Sequence, residues 1–281
     1  MAKHKTKKQA KGKPLKRGFP WFLWLAIGVG IVAVVIFAFV RTSPASEPAS
    51  SIYSDELKAA IIDQLYKLQP NPGFIERTTE QLKDYGFKKV DVYQGDDVTV
   101  DFYRKLPTYG YRLIIFRVHS GLLIGRKSVA NQTWLFTSEP YSRMRYFFQQ
   151  MRGQVTHATT NLGTPLVFAV GAKFITQRMA EKFANTVIIM MGCAALESED
   201  LAQAFIQKGA STYMAWDATV GLNYVDDATA TLIEKLFLEE LIIANAVAKT
   251  MEEKGPDPNN KAVLKYYPPA SANKTVRQLV K

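Results

Sequence analysis

Short apolar runs rich in β-branched residues alternate along this chain with longer amphipathic stretches, and that alternation constrains the fold more than any other feature of the sequence. The apolar runs lie at 58–65 (KAAIIDQL), 88–93 (KKVDVY), 112–118 (RLIIFRV), 166–170 (LVFAV), 186–191 (TVIIMM) and 212–216 (TYMAW). Helical patterns lie between them or close the series, at 75–85, 98–106, 140–152, 172–183, 198–208 and 226–251. A strand that is apolar on both faces must be covered on both, and strands joined through helices run parallel. The pattern therefore predicts an α/β fold, a three-layer sandwich around a mainly parallel sheet. The first run fits a helix as well as a strand. Turn residues between apolar patches at 125–137 (GRKSVANQTWLFT) predict a β-hairpin. The stretch 52–250, about 200 residues, has the size of one domain.

Ahead of that domain, 22 residues at 19–40 (FPWFLWLAIGVGIVAVVIFAFV) carry no charge. At ~1.5 Å per residue a helix of that length reaches about 33 Å, enough to cross a hydrocarbon core of ~30 Å. Trp21 and Trp24 stand where an aromatic belt would be, and the Lys-rich arm 1–18 precedes the span. The positive-inside rule then puts the N-terminus in the cytoplasm and the domain outside, with the lipid bilayer as a partner. The expected localisation is thus a single-pass membrane protein. A cleaved signal peptide is the rival, but its apolar core usually has 7–15 residues, fewer than this run. Residues 41–51 (RTSPASEPASS) read as a spacer, and 251–281, Pro-rich and aperiodic, as a tail that wraps the surface or is mobile.

The basic excess is a product of the same arm. Of 36 Lys plus Arg, eight lie in 1–18 and one is Arg41, which leaves 27 basic against 25 acidic residues for the rest of the chain. The folded part is nearly neutral, with no basic field to steer a nucleic acid, so no nucleic-acid partner is expected. A single cysteine excludes an internal disulfide framework, a cysteine-rich zinc module and a CxxC redox pair. No second His or carboxylate sits at ligand spacing, so neither a metal nor a cofactor is expected.

Open α/β sheets place their sites at the carboxyl ends of strands. His119 follows the run 112–118 and Cys193 follows the run 186–191 (TVIIMMGCAAL). If the two strands are neighbours, a thiol and an imidazole meet in one crevice, the parts needed for nucleophilic catalysis. The bland reading is a packed core cysteine and a satisfied polar histidine. His157, in the polar stretch 153–163, suits a surface role, and His4 has no such context.

The order of these pieces resembles the caspase–hemoglobinase fold of cysteine peptidases, the group of caspases, gingipains, clostripain and the CHAT domains. The likeness rests on YRLIIFRVHSG (111–121), NTVIIMMGCAAL (185–196) and LAQAFIQKGASTYMAWDATV (201–220), within about 59–238. It implies His119 as catalytic histidine and Cys193 as nucleophile, acting on a polypeptide substrate. The oxyanion hole would use the amide of Cys193 and that of the glycine after the histidine, Gly121. Here Ser120 intervenes where the family has His-Gly, so either Ser120 or Gly121 takes that part. In this fold the residues beyond the nucleophile line the P1 pocket, which places Asp217 there as partner for a basic P1 side chain. The alternative for Asp217, and for the pair Asp226 and Asp227, is helix capping. Arg143, Arg145 and Arg152 between the dyad members read as processing sites or as the basic face of a helix.

The resemblance predicts a membrane-anchored thiol protease. The alternatives are a catalytically inactive caspase-like binding or scaffold module at the membrane and, more distantly, a sortase-like transpeptidase. The latter needs an arginine on a strand soon after the cysteine, and none follows Cys193 for more than eighty residues.

Overall fold

Strands apolar on both faces can only lie between two layers, and that is where the computed structural model puts them; it describes residues 57–123, 132–160 and 165–280. The central sheet has six strands in the order β10-β9-β8-β3-β1-β2. They are β1 (Lys58–Asp63), β2 (Lys89–Gln94), β3 (Leu113–Arg117), β8 (Thr186–Met190), β9 (Ala210–Trp216) and β10 (Leu264–Tyr267). All neighbours pair parallel except β10, which runs antiparallel to β9. The ambiguous run at 58–65 is thus a strand, buried between β2 and β3.

Alternation sends successive side chains to opposite faces. Ile114, Phe116, Ile188 and Met190 point to one side, against α2 (Val100–Lys105), α4 (Ala172–Arg178) and α5 (Asp200–Gln207). Leu113, Ile115, Val187 and Ile189 point to the other, against α1 (Pro72–Tyr85), α6 (Leu222–Ile233) and α7 (Ile243–Lys254). The helix α8 (Val276–Leu279) adds Val276 and Leu279 to that second side. The result is the expected α/β sandwich of a mixed, mainly parallel sheet between helices.

Four parts of the sequence fold otherwise than expected. The run at 166–170 does not join the parallel sheet. It forms β7 (Val167–Gly171) in a second, antiparallel sheet of order β4-β5-β7-β6, with β4 (Ser120–Leu123), β5 (Gln132–Pro140) and β6 (Val155–Ala158). One face of this sheet, with Leu135, Val155, Phe168 and Val170, packs on the main core. The pair β4 and β5 is the expected hairpin, its tip lying outside the described residues.

The stretch 140–152 contains only one short helix, α3 (Phe147–Met151). The residue before it, Tyr146, is left-handed (φ 55). The stretch 226–251 is two helices, because a π turn at Glu234–Leu238 ends the first. The tail is part of the fold: β10 completes the sheet, and Asp257 is fully buried.

The anchor expected at 19–40 and the spacer at 41–51 lie outside the described residues. Among the described residues, no helix is long and apolar enough to cross a membrane.

Candidate active site

Strands β3 and β8 are parallel neighbours, in register from Leu113↔Val187 to Phe116↔Met190, and the Met191 amide extends the ladder to Phe116 O at 2.9 Å. The two chains therefore leave the sheet side by side, one into Val118-His119-Ser120 and the other into Gly192-Cys193-Ala194. The turns touch. Ser120 Oγ donates to Cys193 O at 2.6 Å. A Cβ on Gly192 would stand 2.3 Å from Ser120 Oγ, 2.9 Å from Ser120 Cβ and 2.9 Å from Val118 O, so only glycine lets them approach.

The turn that carries Cys193 is strained. Ala194 has φ 51, a left-handed conformation that costs an alanine roughly 1–2 kcal/mol. The bonds Ala194 N to Ala218 O and Leu196 N to Trp216 O, both 2.9 Å, hold it there.

His119 and Cys193 thus sit on adjacent turns, and the thiol engages a third group. The thiol, half-buried, donates to Val220 O at 3.6 Å. The N–H of that same peptide unit, on Gly221, donates to the buried Asp257 carboxylate at 2.9 Å. The imidazole lies beside Phe136, ring centroids 6.0 Å apart. No hydrogen bond joins thiol to imidazole among the described residues. Burial pushes the Cys193 thiol up, helped by the Asp257 charge and opposed by the hydrogen bond to Val220. Burial, and then the Arg117 charge, push the His119 imidazole down. Both shifts favour the neutral forms, so the resting pair is thiol and imidazole and not thiolate and imidazolium.

The backbone of His119 is held from both sides. Its N–H donates to Gln64 Oε1 at 3.0 Å, and its carbonyl accepts from Phe136 N at 3.0 Å. The latter bond fixes the phase of the antiparallel ladder, in which Ser120 opposes Leu135 and Gly121 opposes Trp134. His119 through its carbonyl, and Gly121 two residues on, face β5, and Ser120 turns its backbone groups away. The amide of Gly121 is therefore spent on the ladder. Of the two amides that follow the histidine, that of Ser120 is the one that faces outward.

Asp217 stands at the end of β9, bound to the last strand. Its Oδ1 accepts from Val263 N at 2.8 Å and its Oδ2 pairs with Lys265 at 2.8 Å, while its own N–H donates to Val263 O at 3.1 Å. The carboxylate ties β10 to the end of β9 and does not stand free on a pocket floor. Asp226 is not a helix cap either: it lies within α6, whose N-cap is Gly221. Asp227 pairs with Lys254 at 2.9 Å.

Sequence reasoning missed the ion cluster beneath the histidine. Arg117 is fully buried. Its Nη1 donates to Asp63 Oδ1 at 2.8 Å, its Nε to Asp226 Oδ1 at 2.8 Å and its Nη2 to Gln69 O at 2.8 Å. Asp63 and Arg117 are partners in the β1–β3 register, so the pair is set by strand alignment. The available signal was a charge inside each apolar run, KAAIID and LIIFR, since an unpaired charge is not tolerated there.

Two cavities flank Phe136. One of about 400 Å³ is lined by Gly121, Trp134, Phe136, Thr156, His157 and Ala158. Among the described residues, the buried indole N–H of Trp134 has no partner. A second, of about 290 Å³, is lined by Gln64, Lys67, Asp96, Phe136 and Ser138 among others. Apolar walls with a few polar groups, the usual form of a ligand site, thus lie on both sides of Phe136, and neither cavity is lined by His119 or Cys193. His157, exposed on β6, takes the surface position expected of it. Among the described residues, no group of three His, Cys, Asp or Glu side chains is placed to hold a metal ion.

No family model matches the sequence, and no curated protein matches it. The chain is similar in structure to the Arg specific cysteine proteinase gingipain R, at 12% identity and a TM-score of 0.48, over 79% of this chain and 48% of that one. It is similar also to the complex of the pro- and mature domains of RgpB from Porphyromonas gingivalis, at 13% identity and a TM-score of 0.45, over 80% and 49%. The chain spans about half the length of these solved structures.

Proposed function

We propose that this protein is a membrane-anchored cysteine peptidase of the caspase–hemoglobinase type, with Cys193 as nucleophile and His119 as general base and acid. The observation that carries the reading is the contact of the two turns: parallel β3 and β8 deliver both residues to one strand end, and Ser120 bonds to the carbonyl of Cys193.

In the reaction, Sγ leaves Val220 O and attacks the substrate carbonyl while its proton passes to the imidazole. An S–C bond forms and the carbonyl electrons move to oxygen. The oxyanion accepts from the amides of Cys193 and Ser120, the latter replacing Gly121. Collapse expels the amine, which takes the proton from the imidazolium and leaves an acyl thioester for water to hydrolyse. The cleft on both sides of Phe136 would hold the peptide. An acidic pocket for a basic P1 residue is not part of the proposal, because Asp217 is engaged by Val263 and Lys265. The anchor is the uncharged run 19–40, with the domain outside.

The bond from the thiol to Val220 O favours a second reading, a binding module without turnover. One experiment separates the two. The full chain is given a fluorogenic peptide library and a thiol-reactive acylating probe, beside Cys193→Ala and His119→Ala. Hydrolysis in the wild type that is lost in both variants, with melting temperatures unchanged, is the expected result. Wild-type protein that neither cleaves peptides nor takes the probe would overturn the enzyme reading.

A further inference from the structure

The loop before and within α3 shows four large apolar side chains to water: Met144 is 79% exposed, Phe147 47%, Phe148 69% and Met151 73%. Their spacing, i, i+3, i+4, i+7, is that of the buried stripe of a helix. The residues behind this loop face the small sheet through Tyr141 and Tyr146, whose rings pack on Phe168. Among the described residues, Phe147 is half covered and edges onto Phe148, and Met144, Phe148 and Met151 stay mostly exposed. A cluster of this kind on a soluble surface marks a contact site.

The loop does not owe this exposure to slackness. The Gln150 side chain gathers it, its amide donating to Ser142 O at 3.0 Å and Arg145 O at 2.6 Å while Oε1 accepts from Tyr141 Oη at 3.0 Å. Ser142 Oγ accepts from Arg145 N at 3.3 Å. Arg145 is bound to the buried Glu139 at 2.8 Å. The apolar side chains are thus presented on a fixed frame.

Charge narrows the partner. Residues 141–152 hold three arginines and no acid. Arg145 is neutralised by Glu139, which leaves Arg143 and Arg152, both exposed, on either flank of the apolar stripe. Apolar side chains between cations suit an anionic lipid surface, where phenyl and thioether groups enter the acyl boundary and guanidinium groups meet phosphates. The sequence supplies such a surface nearby. Only 16 residues separate Val40 from Leu57, the first described residue, a reach of at most ~55 Å.

We infer that the loop of Met144, Phe147, Phe148 and Met151, flanked by Arg143 and Arg152, is a lipid-docking surface that seats the domain on a bilayer carrying anionic phospholipid. Its closeness to a bilayer rests on the anchor proposed above; its chemistry does not.

The test uses the full chain with Cys193→Ala, which removes the natural thiol, and a single new cysteine at Phe148→Cys labelled with an environment-sensitive fluorophore. The chain is placed in nanodiscs of phosphatidylcholine with or without phosphatidylglycerol, and quenching by brominated acyl chains is read. A label at Glu80→Cys, on exposed α1, serves as control. The label at 148 is expected to be quenched in phosphatidylglycerol discs, and the control is not. Arg143→Gln with Arg152→Gln should weaken the partition roughly 30-fold, about five- to sixfold per cation. A label at 148 that stays in water in both discs overturns the inference, as does protection that comes instead from cross-linking between copies. If the chain fails to insert, the anchor reading falls, and the same label is then read against added phosphatidylglycerol vesicles, where quenching upholds the docking surface and its absence overturns it.

Discussion

Gly192→Ala strikes the contact on which the site depends. The new methyl group would meet Ser120 Oγ at 2.3 Å and both Ser120 Cβ and Val118 O at 2.9 Å. The serine side chain can rotate, but Val118 O belongs to the backbone, and the Met191 bond to Phe116 O just before the turn keeps the two strands in place. Overfilling of a packed site costs roughly 1–3 kcal/mol. Rotation of Ser120 also gives up its 2.6 Å bond to Cys193 O, worth about 1 kcal/mol. The sum is about 2–4 kcal/mol. A domain of this size loses about 2–4 °C per kcal/mol, so the melting temperature should fall by roughly 5–15 °C.

Ser120→Gly removes two of the three clashes and leaves Val118 O. The double variant Ser120→Gly with Gly192→Ala should therefore lose less than the sum of the single losses, by about 1 kcal/mol. Scanning calorimetry of the four proteins closes the cycle, and labelling of Cys193 by a thiol reagent shows whether the turn moved. Additive losses would refute the argument, as would an unchanged melting temperature in Gly192→Ala.

Arg117→Met leaves Asp63 and Asp226 buried without their cation, and urea unfolding near pH 7 should show a loss of about 3–5 kcal/mol. Burial already raises Asp63 in the intact cluster, and without the arginine it rises further. A carboxyl whose folded pKa lies above its unfolded one destabilises the protein once the pH exceeds the unfolded value, so the variant's deficit should shrink as pH falls toward 4; a deficit that grows would refute this. The raised thiol and lowered imidazole give a second pH signature in the free protein. The thiol should be overwhelmingly protonated at pH 7, and alkylation by iodoacetamide should keep climbing into the alkaline range. A plateau of reactivity between pH 5 and 7, the mark of a thiolate–imidazolium pair, would contradict it.

The neighbourhood of His119 and Cys193 was legible because both runs that carry them are apolar throughout, and a strand of that kind belongs inside a parallel sheet. The run at 166–170 is equally apolar yet lies in the small sheet, between β5 and β6, where Phe168, Ala169 and Val170 are buried as they would be in the parallel sheet. Residues 140–152 read as a helix from the spacing of Met144, Phe147, Phe148 and Met151. The reading failed because those residues face solvent, where spacing without burial adds nothing to helix stability, and because Gln150 binds the carbonyls of the preceding loop. Asp217 stood at a strand end, as expected of a pocket residue. Its partners, Val263 and Lys265, come from a Pro-rich stretch with no periodicity that would reveal a strand. Arg117 and Asp63 were visible as lone charges, but their pairing needs the β1–β3 register, which no local pattern encodes.

The peptide between Val220 and Gly221 joins Cys193 to Asp257, and this bears on the order in which a growing chain can complete the site. Roughly 60 residues separate the two side chains, about 3–12 seconds of synthesis at usual rates. During that interval the Cys193 turn has its β3 neighbour but no cap on α6 and no β10 along β9. A nascent chain therefore carries the thiol in an unfinished setting until Asp257 arrives, and any reactivity or mispairing of Cys193 in that window is a property of synthesis, absent from the mature fold.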